Sequence, residues 1–130
     1  MLSRLSLCAL ALLLCPLSAL AESGSDACLI DSTDDLPAVR LCQQNINIPV
    51  SLFKEGFCQP QIPDREFRVQ MVDACPEGAY GKCEGAKSAG VGYRQSIFYY
   101  SDEDDAPVLA AYCEQISDGR WVPLAGSEQR

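Results

Sequence analysis

The chain contains no histidine in its 130 residues. That excludes a Ser-His-Asp or Cys-His nucleophile, His-ligated zinc and an imidazole proton switch. It also has no Cys-x-x-Cys pair, so the tight chelate loops of tetrahedral zinc sites and the thioredoxin-like redox motif both lack their cysteines. Positive charge is scarce: 10 Lys plus Arg stand against 18 Asp plus Glu, a formal net charge of -8. Phosphate recognition needs a basic surface, so no nucleic-acid partner is expected. The glycine-rich stretch from Gly78 to Gly92 holds no GxxxxGK[ST], since Lys87-Ser88 follows Gly85-Ala86, and it therefore makes no phosphate loop. After residue 22 no apolar run approaches the ~18 residues of a membrane span, so no transmembrane segment is expected in the mature chain. No cofactor is implied by what remains.

What is present begins with an export signal. Arg4 supplies a positive end, Leu5 to Leu17 an apolar run, and Ala19-Leu20-Ala21 a small-x-small site, which predicts a cleaved signal peptide over residues 1–21 and one domain over 22–130. Cys15 invites a lipoprotein reading, but the bulky Leu14 sits where a lipoprotein signal peptidase takes a small residue, and plain cleavage is the better account. Cleavage removes Arg4, Cys8 and Cys15 and leaves six cysteines: Cys28, Cys42, Cys58, Cys75, Cys83 and Cys113. An even count in an exported chain reads as three disulfides, with a periplasmic or secreted location, although spacing alone does not choose the pairs.

The local patterns predict a small α+β domain: a mainly antiparallel sheet with two helices, stapled by the three disulfides. Asp34-Asp35-Leu36-Pro37 followed by Cys42, and Asp104-Asp105-Ala106-Pro107 followed by Cys113, resemble each other. Each offers an Asp cap and a first-turn Pro, so each predicts a helix start, and together they suggest an internal repeat. The first helix would carry Val39, Cys42 and Ile46 on its apolar stripe, the second Leu109, Tyr112, Cys113 and Ile116. Alternation predicts strands over Glu66–Asp73 and Tyr93–Tyr100, and Trp121–Leu124 adds a short edge strand. Gly78, Gly81, Gly85, Gly90 and Gly92 read as turns between them, and residues 22–26 and 125–130 as mobile tails.

The run Ala74-Cys75-Pro76 to Gly81-Lys82-Cys83, then Phe98-Tyr99-Tyr100, Tyr112-Cys113-Glu114 and Gly119-Arg120-Trp121, resembles a pattern of small exported bacterial proteins of uncharacterised function. The likeness covers residues 74 to 121 and consists of structural punctuation, with no catalytic residue in it. It implies an envelope or secreted location and no activity.

Three constellations bear on function. Asp102-Glu103-Asp104-Asp105 sits at the second predicted helix start, where carboxylates interact favourably with the helix dipole and need no further role. With the flanking aromatics Phe98, Tyr99, Tyr100 and Trp121 it would instead form a negative platform with anchors, and Asp102, Glu103, Asp104, Tyr99, Tyr100 and Trp121 are the binding residues expected on that reading. Asp73, Cys75, Glu77, Gly78 and Glu84 fall in an EF-hand-like frame, but a bridged Cys75 offers no oxygen and Pro76 stiffens the loop, so no metal is expected. A carboxylate pair for glycoside hydrolysis carries little information among 18 acids. The expectation is a non-catalytic binding module for a basic protein, such as a cell-wall hydrolase or a toxin. A structural envelope component and a small carboxylate hydrolase are the alternatives.

Overall fold

The structure is a computed structural model that describes residues 26–60, 62–88 and 92–125. The predicted signal peptide, its cleavage point before Glu22, most of both predicted tails, and Gly90 lie outside these residues. Six strands form one antiparallel sheet: β1 (Ala27–Ser32), β2 (Arg40–Asn45), β3 (Phe67–Val72), β4 (Gly81–Lys87), β5 (Arg94–Tyr99) and β6 (Arg120–Pro123), in the order β3-β1-β2-β5-β4-β6. Two helical elements cover it. The turn α1 (Val50–Leu52) runs on into a π-helical turn over Phe53–Phe57, and α2 (Ala106–Gln115) follows a 3-10 turn over Glu103–Asp105.

Three disulfides join Cys28 to Cys58, Cys42 to Cys75 and Cys83 to Cys113, closing separations of 30, 33 and 30 residues. Residues opposite one another in an antiparallel pair share a face, so the register sorts the side chains. Cys28, Ile30, Leu41, Gln43, Ile97, Tyr99, Cys83 and Trp121 share one face, called the front here. Ala27, Leu29, Cys42 and Phe98 share the back. Both helical elements are held to the front by a disulfide: Cys58 ties the α1 segment to β1, and Cys113 ties α2 to β4. The third bridge holds the loop after β3 against the back of β2.

The core divides accordingly. Ile30, Ile48, Phe53 and the Cys28–Cys58 bridge form one buried cluster under α1, and Cys83, Ala86 and Cys113 form another under α2. Ala27, Leu29 and Cys42 are buried on the back, backed by Phe98 and Tyr100.

The molecule repeats one plan. The first half runs β1-β2-α1-β3 with β1 central, and the second runs β4-β5-α2-β6 with β4 central. In each half a bridge leaves the central strand and reaches the helical element, and the interval from Cys28 to Cys83 equals that from Cys58 to Cys113. The halves meet where β2 pairs with β5, Gln43 opposite Ile97, so an approximate two-fold axis passes through the middle of that pair.

These observations correct four expectations. Residues 34–46 form no helix. Asp34 Oδ1 accepts the Leu36 N–H at 3.1 Å, and its Oδ2 accepts from Arg65 Nε at 2.8 Å and the Glu66 N–H at 2.9 Å, so the predicted cap closes a loop. Arg40–Asn45 is strand β2 because neighbours on both sides, β1 and β5, use its backbone groups, and that long-range pairing outweighs a local helix signal. The internal echo between residues 34–44 and 104–115 is therefore not a structural repeat; the true repeat has a different frame. The glycine-rich stretch is not all turn. Strand β4 crosses it, with Gly81 under the Trp121 indole, where a Cβ would run into the ring, and Gly85 at φ 70° in a bulge between Cys83 and Ala86. Finally, α2 turns only part of its predicted stripe inward: Cys113 is buried and Leu109 half-buried, whereas Tyr112 and Ile116 are 58% and 68% exposed.

Candidate functional site

The acidic run leaves the end of β5 in a tight turn. Asp102 adopts the left-handed region at φ 57°, which an Asp tolerates better than most residues, and its carbonyl accepts the Asp105 N–H at 3.0 Å. Glu103–Asp105 then form the 3-10 turn that feeds α2, with Pro107 in the first helical turn, where its missing donor costs nothing. Neither Asp102 nor Asp105 caps a helix N–H with its side chain. All four acids are exposed. Among the described residues, no ion pair engages Asp102 or Asp105.

One turn beyond Asp104, α2 presents Val108 at 72% exposure, and Tyr112 and Ile116 continue the stripe at four-residue spacing. Residues so spaced lie along one helix face, so the outward side of α2 is apolar and uncovered among the described residues. Its sheet-facing side rests on the Cys83–Cys113 bridge.

The aromatics expected as anchors take other places. Tyr99 and Trp121 are half-buried on the front, rings 5.8 Å apart, packed against the Cys83–Cys113 cluster. Tyr100 is on the back, where its hydroxyl donates to the Pro76 carbonyl at 2.6 Å and the Arg40 guanidinium lies over its ring. Burial pushes the hydroxyls of Tyr99 and Tyr100 up to about 12. Thus Asp102, Glu103 and Asp104 stand together, Tyr99 and Trp121 lie beneath α2, and Tyr100 does not join them.

Between the two helical elements the front face is open. A hollow of about 310 Å³ at the end of the sheet is lined by Leu41, Tyr80, Tyr99, Asp102, Asp105 and Leu109, and by the cations Arg40 and Arg65. A second, of about 240 Å³, shares Leu41 and Tyr99 and continues past Ile97 to Phe57 and Ile62. Both cations are engaged. Arg65 is held by Asp34 and by the Pro37 carbonyl, and Arg40 lies 3.6 Å from Asp31. The Arg65 hydrogen bond holds the Asp34 carboxyl down at about 2, with the Glu66 N–H adding to it.

Tyr80 is one of the residues of this hollow that the sequence did not single out. Its backbone is fixed at the start of β4, donating to the Tyr99 carbonyl and accepting from the Leu124 N–H, both at 2.9 Å. The residue is 6% exposed, and its buried hydroxyl has no hydrogen-bond partner among the described residues. Burial raises that hydroxyl to about 12, and the carboxylates of Asp105 and Asp102 push it the same way. One sequence signal marks it: Tyr80 is the sole aromatic between Pro76 and Gly92.

Elsewhere the polar groups close on one another. Glu84 on β4 is held below the usual carboxylate range by Lys82 and then Arg120, and Asp118 by Lys87. In the EF-hand-like frame, Cys75 is bridged to Cys42 and Glu84 is in this strand. Among the described residues no group of three or more His, Cys, Asp or Glu side chains is placed to hold a metal ion, and no helix is long and apolar enough to cross a membrane. A hollow of about 330 Å³ on the back, between Pro76, Ala79, Phe98 and Leu124, brings no charged groups together beyond Glu77. No family model, curated protein or solved structure matches the chain.

Proposed function

We propose that this protein is an exported, non-catalytic binding module that docks on a cationic protein and blocks it, using the acidic turn 102–105 and the outward face of α2. The observation that carries this reading is their adjacency: four exposed carboxylates run straight into a helix whose Val108, Tyr112 and Ile116 are uncovered. A net charge of -8 and a cluster of like charges accelerate encounter with a basic surface. An adjoining apolar stripe then supplies area that leaves water on contact. The Cys83–Cys113 bridge under α2 keeps the surface rigid, which lowers the entropy lost on binding. Among the described residues the carboxylates with displaced pKa values, Asp34, Glu84 and Asp118, are all held low by cations, whereas a carboxylate acid catalyst needs a raised one. Export rests on the signal pattern, and three disulfides fit an oxidising compartment.

The test uses lysozyme, a strongly basic cell-wall hydrolase, as probe. Neutralising Asp102→Asn, Glu103→Gln and Asp104→Asn together is expected to slow association about tenfold at low salt, and raising the salt to erase most of the difference. The pair Tyr112→Ala and Ile116→Ser is expected to speed dissociation while leaving the association rate near its original value. An association rate that ignores both the acids and the salt contradicts the reading.

A further inference from the structure

The hollow beside the acidic turn has three acceptors that no other part of the described chain uses: the Tyr80 hydroxyl and the carboxylates of Asp102 and Asp105. A buried hydroxyl without a partner is costly, and native structures seldom leave one unless something else completes it. Here it lies in the same cavity as two carboxylates close enough to act on its ionisation. Because it stays protonated at neutral pH, it can donate to a carboxylate and still accept from a cation. The rest of the lining is mainly apolar, Leu41, Leu109 and the ring of Tyr99 among it, with Ser101, Arg40 and Arg65 as its polar members.

We infer that this hollow is a socket for one lysine side chain of the basic protein partner, its ammonium held by the Tyr80 hydroxyl, Asp102 and Asp105, and its methylenes lying on Leu41, Leu109 and Tyr99. The inference rests on the proposed docking function and adds the chemistry of one contact. An ammonium has three donors on a compact head, matching three acceptors, and its alkyl stem suits apolar walls. A cavity of about 310 Å³ is ample for that side chain. A guanidinium fits less well: its planar fork is best matched by paired carboxylate oxygens, and the hollow already holds two, Arg65 paired with Asp34 and Arg40 sharing Asp31 with Arg68. Among the described residues neither Asp102 nor Asp105 is engaged in an ion pair, so both carboxylates are open to a further cation.

The decisive variant is Tyr80→Phe, which removes one oxygen and no charge. It is expected to melt at the same or a higher temperature than the parent, since the hydroxyl has no partner to lose. Calorimetric titration with hexalysine should then show affinity about tenfold weaker for Tyr80→Phe and for Asp105→Asn. Hexalysine acetylated on every ε-amine should not bind, and hexaarginine should bind more weakly than hexalysine. Free n-butylammonium should bind far more weakly than the peptide. If Tyr80→Phe binds hexalysine as the parent does while Asp102→Asn and Asp105→Asn bind less, the socket is overturned and diffuse charge remains, with the docking reading intact. Butylammonium binding as tightly as hexalysine would overturn the protein lysine in favour of a free amine. If neither hexalysine nor lysozyme binds the parent protein, the docking reading fails along with the socket.

Discussion

Single residues in this molecule are placed by what they satisfy, and Asp34 shows it most clearly. The sequence presents it as a helix cap, yet its carboxylate gathers Arg65, the Glu66 N–H and the Leu36 N–H and closes the loop between β1 and β2. A carboxyl held at about 2 against an ordinary 3.8 stabilises the folded state above its unfolded value and loses that contribution as pH falls toward 2. Asp34→Asn is therefore expected to lower the melting temperature at neutral pH. The gap should narrow below pH 3.8 and close near pH 2, as a melting series over that range will show. Gly81 is the steric counterpart. Its missing Cβ leaves room for Trp121, so Gly81→Ala should cost about 1–3 kcal/mol in urea unfolding and alter tryptophan fluorescence. Neither role could be read locally, because each is defined by a residue far along the chain.

At the scale of elements, β3, β5, β6 and α2 were legible, because each carries its own period or cap. Phe67, Val69 and Met71 alternate, and Pro107 with the following apolar positions marks a helix. What escaped was set from outside. Strand β1 buries four consecutive residues, Ala27 to Ile30, because it is covered on both faces, and such a run has no alternation to find. Strand β4 hides its pattern behind glycines required by Trp121 and by a bulge. Strand β2 looked helical until its two neighbours were known. The helix α2 is itself weakly anchored: Cys113 is its sole buried residue, and an isolated helix of 10 residues is marginal in water. Replacing both Cys83 and Cys113 by Ala should cost ~3–4 kcal/mol. It should also strip α2 of hydrogen-exchange protection while β1 and β2 keep theirs. Retained protection on α2 would mean that packing, and not the bridge, holds the proposed binding face. By contrast, Ile116→Ser should change stability by no more than about 0.5 kcal/mol, being exposed.

The whole molecule is two copies of one ββαβ plan joined edge to edge through β2 and β5, each with its helical element bolted to its central strand. The cysteine count promised three bridges and an exported α+β domain, and the pairing supplies what the count lacked: it turns both helical elements to the same face and opens the front hollows between them. The candidate site was half legible for the same reason. Asp102, Glu103 and Asp104 are contiguous and stood out, whereas Tyr80 and Leu41 reach the same hollow only through the pairing of β4 and β2 with β5. In the first half, Phe53 is the fully buried centre beneath the Cys58 bridge, and Phe53→Ala should cost about 3–5 kcal/mol in equilibrium unfolding. Everything placed on the front face depends on how the six sulfurs are joined. Mass-spectrometric mapping of the unreduced native protein is the most direct test: it should find peptides linked as Cys28–Cys58, Cys42–Cys75 and Cys83–Cys113. A Cys75–Cys83 link, or free thiols at these positions, would contradict the account.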